Sequence, residues 1–392
     1  MIYYELEVPD QVENEDDLNG LDVGDVNDFI ISNTDWTIET IKLQVEKGNI
    51  QLNPSFQRRD AWTKQRKSKF IESLFLGIPV PPLVLAESPA SKGKFIVLDG
   101  KQRLLSIMQF MSAAGGDFNQ LKLTKLEIRK DLSGKPLENI EAEGTDISFF
   151  ENQSVRTTVI KNCRNENFLY HIFLRLNTGS LPLSPQELRQ ALHPGQFSNF
   201  LDEATSNSKC LKDVFHSDKP DFRMRDIELL LRYIAMRTRI KSYRGNLKLF
   251  LDDTLKAVET NWDLNENDIK NTAAELEKAH IAALEIFGNN IYRRWNNGSY
   301  EGRFNRSVFE IIVLSLSDDK NRGIILLNKE RTEDLFKEIC ENNQAFVNSI
   351  VQTTKSIGAL STRITEWNRI LNKNIGTSLS ELEIDNTGIA IN

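Results

Sequence analysis

The sequence predicts an α+β fold, with a small mixed sheet and several helices in the N-terminal part and a mainly helical C-terminal part. Two short runs rich in valine and isoleucine, PVPPLVLA and KFIVLDG, flank a turn-like segment and are typical of paired strands. From about residue 166 onward, apolar residues recur at helical spacing in long segments. The length of 392 residues is enough for two or three domains.

The first helices are predicted from capping residues and apolar periodicity. One helix is expected from about Asp35, with Thr34 or Asp35 as its N-cap and Gly48 as its stop. A second helix is expected between Thr63, as N-cap, and Gly77. The two paired strands follow it along the chain, and the run KQRLLSIMQFM after them has the spacing of a third helix.

The remaining chain divides at a proline-containing turn. The stretch from Gly115 to Pro136 resembles a hairpin or short strands, and SVRTTVI is a further strand candidate. The turn SLPLSP, near Ser184, is the predicted domain boundary. We predict an acidic flexible arm, an α+β domain, a helical DNA-binding or assembly domain and a tail, over residues 1–34, 35–183, 184–372 and 373–392.

The charge is unevenly distributed. The formal net charge is -7, from 49 Lys and Arg against 56 Asp and Glu. Residues 1–50 hold 13 acids against two lysines, whereas residues 51–110 and 219–250 each carry a net charge of +6. Two basic regions therefore lie in a nearly neutral body, where they can attract a polyanion, although solvated helix faces would look the same.

Several protein classes are excluded or disfavoured. No apolar run is long enough for a membrane span and the start lacks the pattern of a signal peptide, so we expect a cytoplasmic protein. Three scattered cysteines argue against disulfides and structural zinc. Neither a Walker loop nor a G-x-S-x-G motif occurs. The four histidines lack the arrangement of a His-Asn-His nuclease: His171, His193, His216 and His280.

The segment FIVLDGKQRLLSIM carries the strongest chemical signal. A strand ends at Asp99 and Gly100, and a helix begins directly afterwards beside Lys101, Gln102 and Arg103. Helix-start N–H groups, the positive end of the helix dipole and two cationic side chains favour an anion such as phosphate. Asp99 can orient a water or hold Mg²⁺ between phosphate oxygens. The alternative is that Asp99 caps the helix while both cations are solvated.

Two further segments supply groups of the same kind. QRRDAW places Arg58 and Arg59 beside an aromatic residue in a non-helical stretch, and arginine suits bidentate phosphate recognition. LRLNTGSLPLSPQELR places Asn177 in a turn before a helix that Ser184 should cap, with Glu187 three residues later. Asn177 has amide groups fit for a base or ribose edge, and is otherwise a plain turn residue.

The order of these segments resembles a known family. QRR-x-x-W, FIESLFLGIPVPPLVL, VLDGKQRL and IFLRLNTGSLPLSPQELR occur in the order seen in the N-terminal domain of GmrSD-type modification-dependent restriction enzymes, whose signature is D-G-Q-Q-R. The resemblance covers roughly residues 35–195. Lys101 stands where the family usually has the first glutamine, which keeps a phosphate-contacting group and loses the acceptor of an amide.

The resemblance implies a ParB/sulfiredoxin-like fold with nucleoside triphosphate hydrolysis at the helix-start loop, coupled to sensing or cutting DNA that often carries modifications. It makes Asp99 the catalytic carboxylate, or the ligand that orients Mg²⁺, and makes Arg103 a phosphate contact. The remaining nucleotide-binding residues that it implies are Gln57, Arg58, Gly100, Lys101, Gln102 and Asn177. The base of the nucleotide stays open.

The second half offers candidates for DNA contact. IYRRWNNGSYEGRFNR interleaves basic and aromatic side chains, a composition that suits a phosphate backbone with a stacked base. The predicted DNA-binding residues are Arg293, Arg294, Arg303 and Arg306. A loop anchored by aromatics with solvated arginines is an equally open alternative.

Three functional hypotheses follow. The leading one is a nucleoside triphosphatase that acts as sensor or regulatory subunit of a bacterial anti-phage restriction system, with a separate nuclease chain as partner. In the second, the ParB-like domain itself nicks DNA at Asp99. In the third, the loop is a nucleotide-gated DNA clamp or regulator without significant turnover. A homo-oligomer is compatible with each of them.

Overall fold

A computed structural model describes residues 29–52, 59–89, 91–163, 166–176, 184–352, 354–385 and 388–391. These residues form two compact units, one from residue 29 to Leu192 with Phe222–Met224, and the other from His193 to Asp221 and from Arg225 onward. Of the predicted arm, residues 1–28 lie outside the described residues. No helix in the part of the chain that is described is long and apolar enough to cross a membrane.

The first unit contains a four-stranded mixed sheet. Its strands are β1 (Ile30–Thr37), β2 (Leu83–Ser88), β3 (Ser91–Asp99) and β4 (Ser154–Lys161), in the spatial order β1-β4-β2-β3. Strands β1 and β4 pair antiparallel, β4 and β2 pair parallel, and β2 and β3 pair antiparallel. The prediction of a small mixed sheet with two paired apolar strands is confirmed.

Seven helices are described in this unit, and two of their predicted caps are confirmed. Their bounds are α1 (Ile38–Glu46), α2 (Lys64–Phe75), α3 (Lys101–Met111), α4 (Leu137–Ala142), α5 (Ser148–Glu151), α6 (Glu166–Leu176) and α7 (Pro185–Leu192). The Thr63 hydroxyl accepts a hydrogen bond from the Arg66 N–H, as expected for the N-cap of α2. Ser184 caps α7, as predicted. Helix α7 belongs to the first unit, whereas the predicted domain boundary precedes this helix.

Helices pack against the sheet and account for the continuous burial of the first four residues of the central strand β2. Four successive residues of β2, from Leu83 to Ala86, are buried, as expected of a strand covered on both faces. One cluster combines side chains of β2, β3 and β4 with those of α6 and α7, including Leu98, Phe173 and Leu188. A second contact joins α2, α3 and α5 through the aromatic rings of Phe75, Phe110 and Phe150, with centroid separations of 4.6–5.8 Å.

The predicted helix start at Asp35 is wrong. Asp35 lies in β1, where it pairs with Arg156 of β4, and the N-cap of α1 is Thr37, whose hydroxyl accepts from the Thr40 N–H. Ile38, Ile41 and Val45 are buried on one face of α1 as predicted. Pairing with a strand more than a hundred residues away therefore determines residues 30–37.

The hairpin predicted between Gly115 and Pro136 is wrong as well. The described residues there form no strand, and only a short 3-10 turn occurs, at Lys130–Leu132. Helix α2 satisfies part of this backbone, because Ser68 Oγ accepts from the Thr124 N–H at 3.0 Å. The Glu72 carboxylate accepts from the N–H groups of residues 127–129 at 2.8–3.3 Å.

The second unit is mainly helical, as predicted. Its helices are α8 (Gln196–Asn207), α9 (Lys209–Phe215), α10 (Arg225–Arg239), α11 (Leu247–Thr260), α12 (Trp262–Phe287), α13 (Arg306–Leu316), α14 (Asp319–Leu327), α15 (Lys329–Asn342), α16 (Gln344–Val351) and α17 (Ile357–Ile375). Two small hairpins accompany them, β5 (Trp295–Asn296) with β6 (Ser299–Tyr300), and β7 (Leu382–Asp385) with β8 (Gly388–Ile391). The second hairpin occupies part of the predicted tail.

A buried ion triad joins three helices of this unit. Glu310 of α13 binds the guanidinium groups of Arg232 in α10 and Arg363 in α17, and all three side chains are at most 4% exposed. Burial raises the pKa of Glu310, but the two guanidinium groups outweigh this effect and hold it below its usual value. Arg232 is therefore not available to DNA, although the sequence placed it in a basic region.

Candidate functional site

The strand-to-helix turn at Gly100 requires a glycine. Gly100 has φ +98° and ψ 10°, in the left-handed region, between the end of β3 and the start of α3. A Cβ there would overlap the Leu83 side chain and lie 3.1 Å from Arg103 Nη2. Because glycine has no side-chain oxygen, no side chain caps the N terminus of α3. The turn thus brings the helix start close to β2 and leaves it without a side-chain cap.

Asp99 and Arg103 form an ion pair across this turn. Arg103 Nη2 donates to Asp99 Oδ2 at 3.0 Å and to the Pro82 carbonyl at 3.0 Å. The Arg103 side chain is 12% exposed, whereas that of Asp99 is 50% exposed. Arg103 Nε is buried and has no hydrogen-bond partner among the described residues. The pair therefore presents a carboxylate to solvent beside a guanidinium whose donors are not all used.

Lys101 is directed toward helix α7. Its ammonium lies 2.5 Å from Glu187 Oε1, and both side chains are at most 7% exposed. The other carboxylate oxygen of Glu187 accepts from the Ser184 N–H at 2.7 Å, and Ser184 Oγ accepts from the Glu187 N–H at 3.1 Å. This reciprocal arrangement is a capping box. The lysine of the signature thus binds a carboxylate that also holds the start of α7.

Gln102 contacts the segment that precedes α2. Its side-chain carbonyl accepts from the Trp62 N–H at 3.2 Å, and the Trp62 ring packs edge-on against Phe70. Gln57, Arg58 and Asn177, which the sequence also assigns to the nucleotide site, lie outside the described residues. The structure brings together Asp99, Gly100 and Arg103 at one turn, and directs Lys101 and Gln102 to neighbouring segments.

The described residues contain no group of three or more His, Cys, Asp or Glu that could hold a metal ion by itself. Asp99 is the carboxylate at the helix start. Mg²⁺ commonly binds proteins through one or two carboxylates together with substrate phosphates and waters. A single half-exposed carboxylate beside a helix start without a side-chain cap therefore fits Mg²⁺ carried with a phosphate ligand.

Sequence reasoning missed one polar cluster, which involves the C-terminal half of α3. Lys67, Asp60 and Gln109 contact one another between α2, the preceding segment and α3. Lys67 lies on the same face of α2 as Phe70, Ile71 and Leu74, which follow it at positions i+3, i+4 and i+7. A lysine on the apolar face of a helix was the signal that could have revealed a buried charge.

The four arginines predicted to bind DNA differ in exposure. Arg294 Nε donates to Glu301 Oε1 at 3.0 Å and its side chain is 14% exposed, while Arg303 is 73% exposed and lies 3.7 Å from Glu301 Oε2. Arg293 is partly buried, which lowers its pKa, and Arg306 begins α13. Glu301 thus partly neutralises this region, and Arg303 is the arginine best placed to meet a phosphate.

The aromatic residues Trp295 and Tyr300 of the β5–β6 hairpin form hydrogen bonds with helix α15. Trp295 Nε1 donates to Glu341 at 2.6 Å, and the Tyr300 hydroxyl donates to Glu333 at 3.0 Å. The two rings lie edge to face with centroids 5.0 Å apart, beneath the Lys337 ammonium. Stacking on a nucleic-acid base would require these contacts to open.

Comparison with known proteins adds one finding. A family model described as GmrSD restriction endonuclease, N-terminal domain, matches residues 40–194, which confirms the resemblance found from the sequence. The match includes the Asp99–Arg103 helix start and Glu187. No curated protein and no solved structure matches the chain.

Proposed function

Because residues 40–194 are a domain of the GmrSD restriction endonuclease N-terminal family, we propose that the chain binds and hydrolyses a nucleoside triphosphate as the sensor or regulatory subunit of a DNA-restriction system. The domain indicates a component of a restriction system, and therefore an interaction with DNA. A separate nuclease chain would cut the DNA. The ParB/sulfiredoxin-like fold that the resemblance implies is part of the same proposal.

The observation that carries the proposal is the turn at Asp99–Arg103. A helix start without a side-chain cap has N–H groups and a dipole that attract an anion. Arg103 retains a buried donor, Nε, beside the same turn. The left-handed backbone of Gly100 forms the sharp turn that leaves the helix start without a side-chain cap. All three features support binding of a phosphate group.

The roles of the side chains follow from their positions. Arg103 binds a phosphate oxygen and holds Asp99 through Nη2. Asp99, half exposed, orients the attacking water or contacts Mg²⁺, which when bound would neutralise charge on the phosphates. Lys101 and Gln102 line the turn through their backbone, since their side chains bind Glu187 and the Trp62 N–H. Gln57, Arg58 and Asn177 complete the nucleotide site as the family resemblance implies.

The test combines hydrolysis and DNA cleavage in one incubation. The purified chain is mixed with each nucleoside triphosphate in turn, Mg²⁺ and supercoiled plasmid. Phosphate release without nicking is expected. Nicking that Asp99→Ala abolishes would instead make this domain the nuclease. If neither phosphate release nor nicking occurs, hydrolysis is refuted, and the remaining hypothesis is a clamp or regulator without turnover.

A further inference from the structure

A closed ring of polar contacts involves α3, the helix whose start forms the proposed nucleotide site. The Lys67 ammonium binds the Asp60 carboxylate and donates to Gln109 Oε1 at 2.7 Å. Gln109 Nε2 donates in turn to Asp60 Oδ2 at 3.3 Å. The side chains of Lys67 and Asp60 are 7% and 19% exposed. Asp60 Oδ1 also accepts from the Trp62 N–H at 3.3 Å, so the ring is linked to the backbone of the segment that carries Asp60.

Burying the charged and polar groups of this ring has an unfavourable desolvation free energy. Removing charges from water is unfavourable, and burial lowers the pKa of Lys67 to about 8. Well-packed apolar side chains often replace a buried ion pair without loss of stability. The ring therefore calls for an explanation other than stability, and the most direct one is the position of the segment that carries Asp60.

The ring connects that segment to the helix of the proposed site. Asp60 is tied to α3 at Gln109, and Trp62, two residues later, is tied to α3 at Gln102. Gln102 and Gln109 are seven residues apart and so lie on one face of α3. The Trp62 ring also packs against Phe70 of α2. The segment Arg59–Trp62 is thus attached at two points to the helix that begins with Lys101.

We propose that Lys67 is a positioning residue of the nucleotide site. By holding Asp60 against Gln109, it fixes the segment Arg59–Trp62 relative to the start of α3, where Asp99 and Arg103 lie. This inference rests on the proposed function, because the site it serves is the proposed nucleotide site. Lys67 itself is too buried to contact a ligand and acts through Asp60.

The test separates position from stability. Lys67→Met alone leaves a buried carboxylate without its partner and is expected to destabilise the fold, so the main variant is the double replacement Asp60→Asn with Lys67→Met, which removes both charges. Lys67→Arg retains the charge. The matched control is Lys69→Met, on the same helix, which removes an exposed ion pair with Glu127.

Three quantities are measured for each variant: the melting temperature, the dissociation constant for a fluorescent nucleoside triphosphate with Mg²⁺, and hydrogen exchange of the peptide that contains Arg59–Trp62. The double variant is expected to melt near the parent, to bind nucleotide on the order of tenfold more weakly, and to exchange faster in this peptide. Lys67→Arg is expected to bind more tightly than the double variant. Lys69→Met is expected to match the parent.

Each contrary result points to a different error. If the double variant is stable and binds nucleotide with the affinity of the parent, the positioning role is refuted. Unchanged hydrogen exchange of Arg59–Trp62 in that variant refutes it independently of any nucleotide. A parent that binds no nucleoside triphosphate refutes the proposed function, and faster exchange in the double variant would still show that the Lys67–Asp60 pair fixes the segment.

Discussion

Replacing Gly100 with alanine should destabilise the first unit more than the same replacement of a glycine in the preceding strand, β3. The backbone at Gly100 is left-handed, which costs an ordinary residue about 1–2 kcal/mol. The new Cβ would also overlap the Leu83 side chain, and overpacking of this kind typically costs about 1–3 kcal/mol. The two contributions together amount to roughly 2–5 kcal/mol.

The matched control for this replacement is Gly93→Ala. Gly93 also has a positive φ, +76°, but a Cβ there meets nothing within 4 Å. The control therefore has only the backbone cost of about 1–2 kcal/mol, and the difference between the variants measures the close approach of Gly100 to β2. At about 2–4 °C per kcal/mol for a domain of this size, Gly100→Ala should melt roughly 4–20 °C below the parent.

Scanning calorimetry, which can resolve the transitions of the two units, is the suitable assay. Gly100→Ala is expected to lower the transition temperature of the first unit clearly more than Gly93→Ala does. Equal shifts for the two variants would refute the claim that the turn has no room for a side chain. Gly100→Ala should also weaken nucleotide binding, because its Cβ lies near the Arg103 guanidinium.

Two further predictions concern the helical unit. A quadruple variant with glutamine in place of Arg293, Arg294, Arg303 and Arg306 should bind DNA more weakly without a change in basal hydrolysis. Anisotropy at several salt concentrations measures the DNA binding, and its log–log salt slope should fall by about 0.9 per lost phosphate contact. An unchanged slope would shift the DNA site to the basic region 219–250. Glu310→Gln should cost about 3–5 kcal/mol, because it leaves two buried guanidinium groups without their carboxylate. Calorimetry checks this against Glu338→Gln, an exposed pair with Arg331, and equal losses would contradict it.

Much of the fold could be predicted where local pattern and tertiary environment agree. Thr63 caps α2, Ser184 caps α7, and KFIVLDG forms a strand that ends at Asp99. The start at Asp35 was mispredicted because pairing with β4, distant in sequence, overrides a capping signal that is local. The hairpin near Leu123 was mispredicted because part of that backbone bonds to Ser68 and Glu72 side chains, which alternation cannot reveal.

The candidate site was predictable only where its residues are close together in the sequence. Residues close in sequence, from Asp99 to Arg103, could be grouped because a strand followed at once by a helix places them at one turn. The partner of Lys101 is Glu187, and the partner of Lys67 is Asp60 across a helix boundary. Such pairings depend on tertiary packing, and a single sequence carries only an indirect sign of them, such as a lysine on an apolar helix face.

The central claim is that the start of α3 binds the phosphates of a nucleotide. Isothermal titration of the parent with a nucleoside triphosphate and Mg²⁺ tests it directly, alongside Arg103→Ala and, as control, Arg129→Ala, which removes an exposed pair with Asp131. A charge-assisted hydrogen bond contributes about 1.5–3 kcal/mol, so Arg103→Ala should bind roughly ten- to hundredfold more weakly than the parent. The control should bind like the parent. A parent that binds no nucleotide, or a folded Arg103→Ala with the affinity of the parent, would contradict the claim.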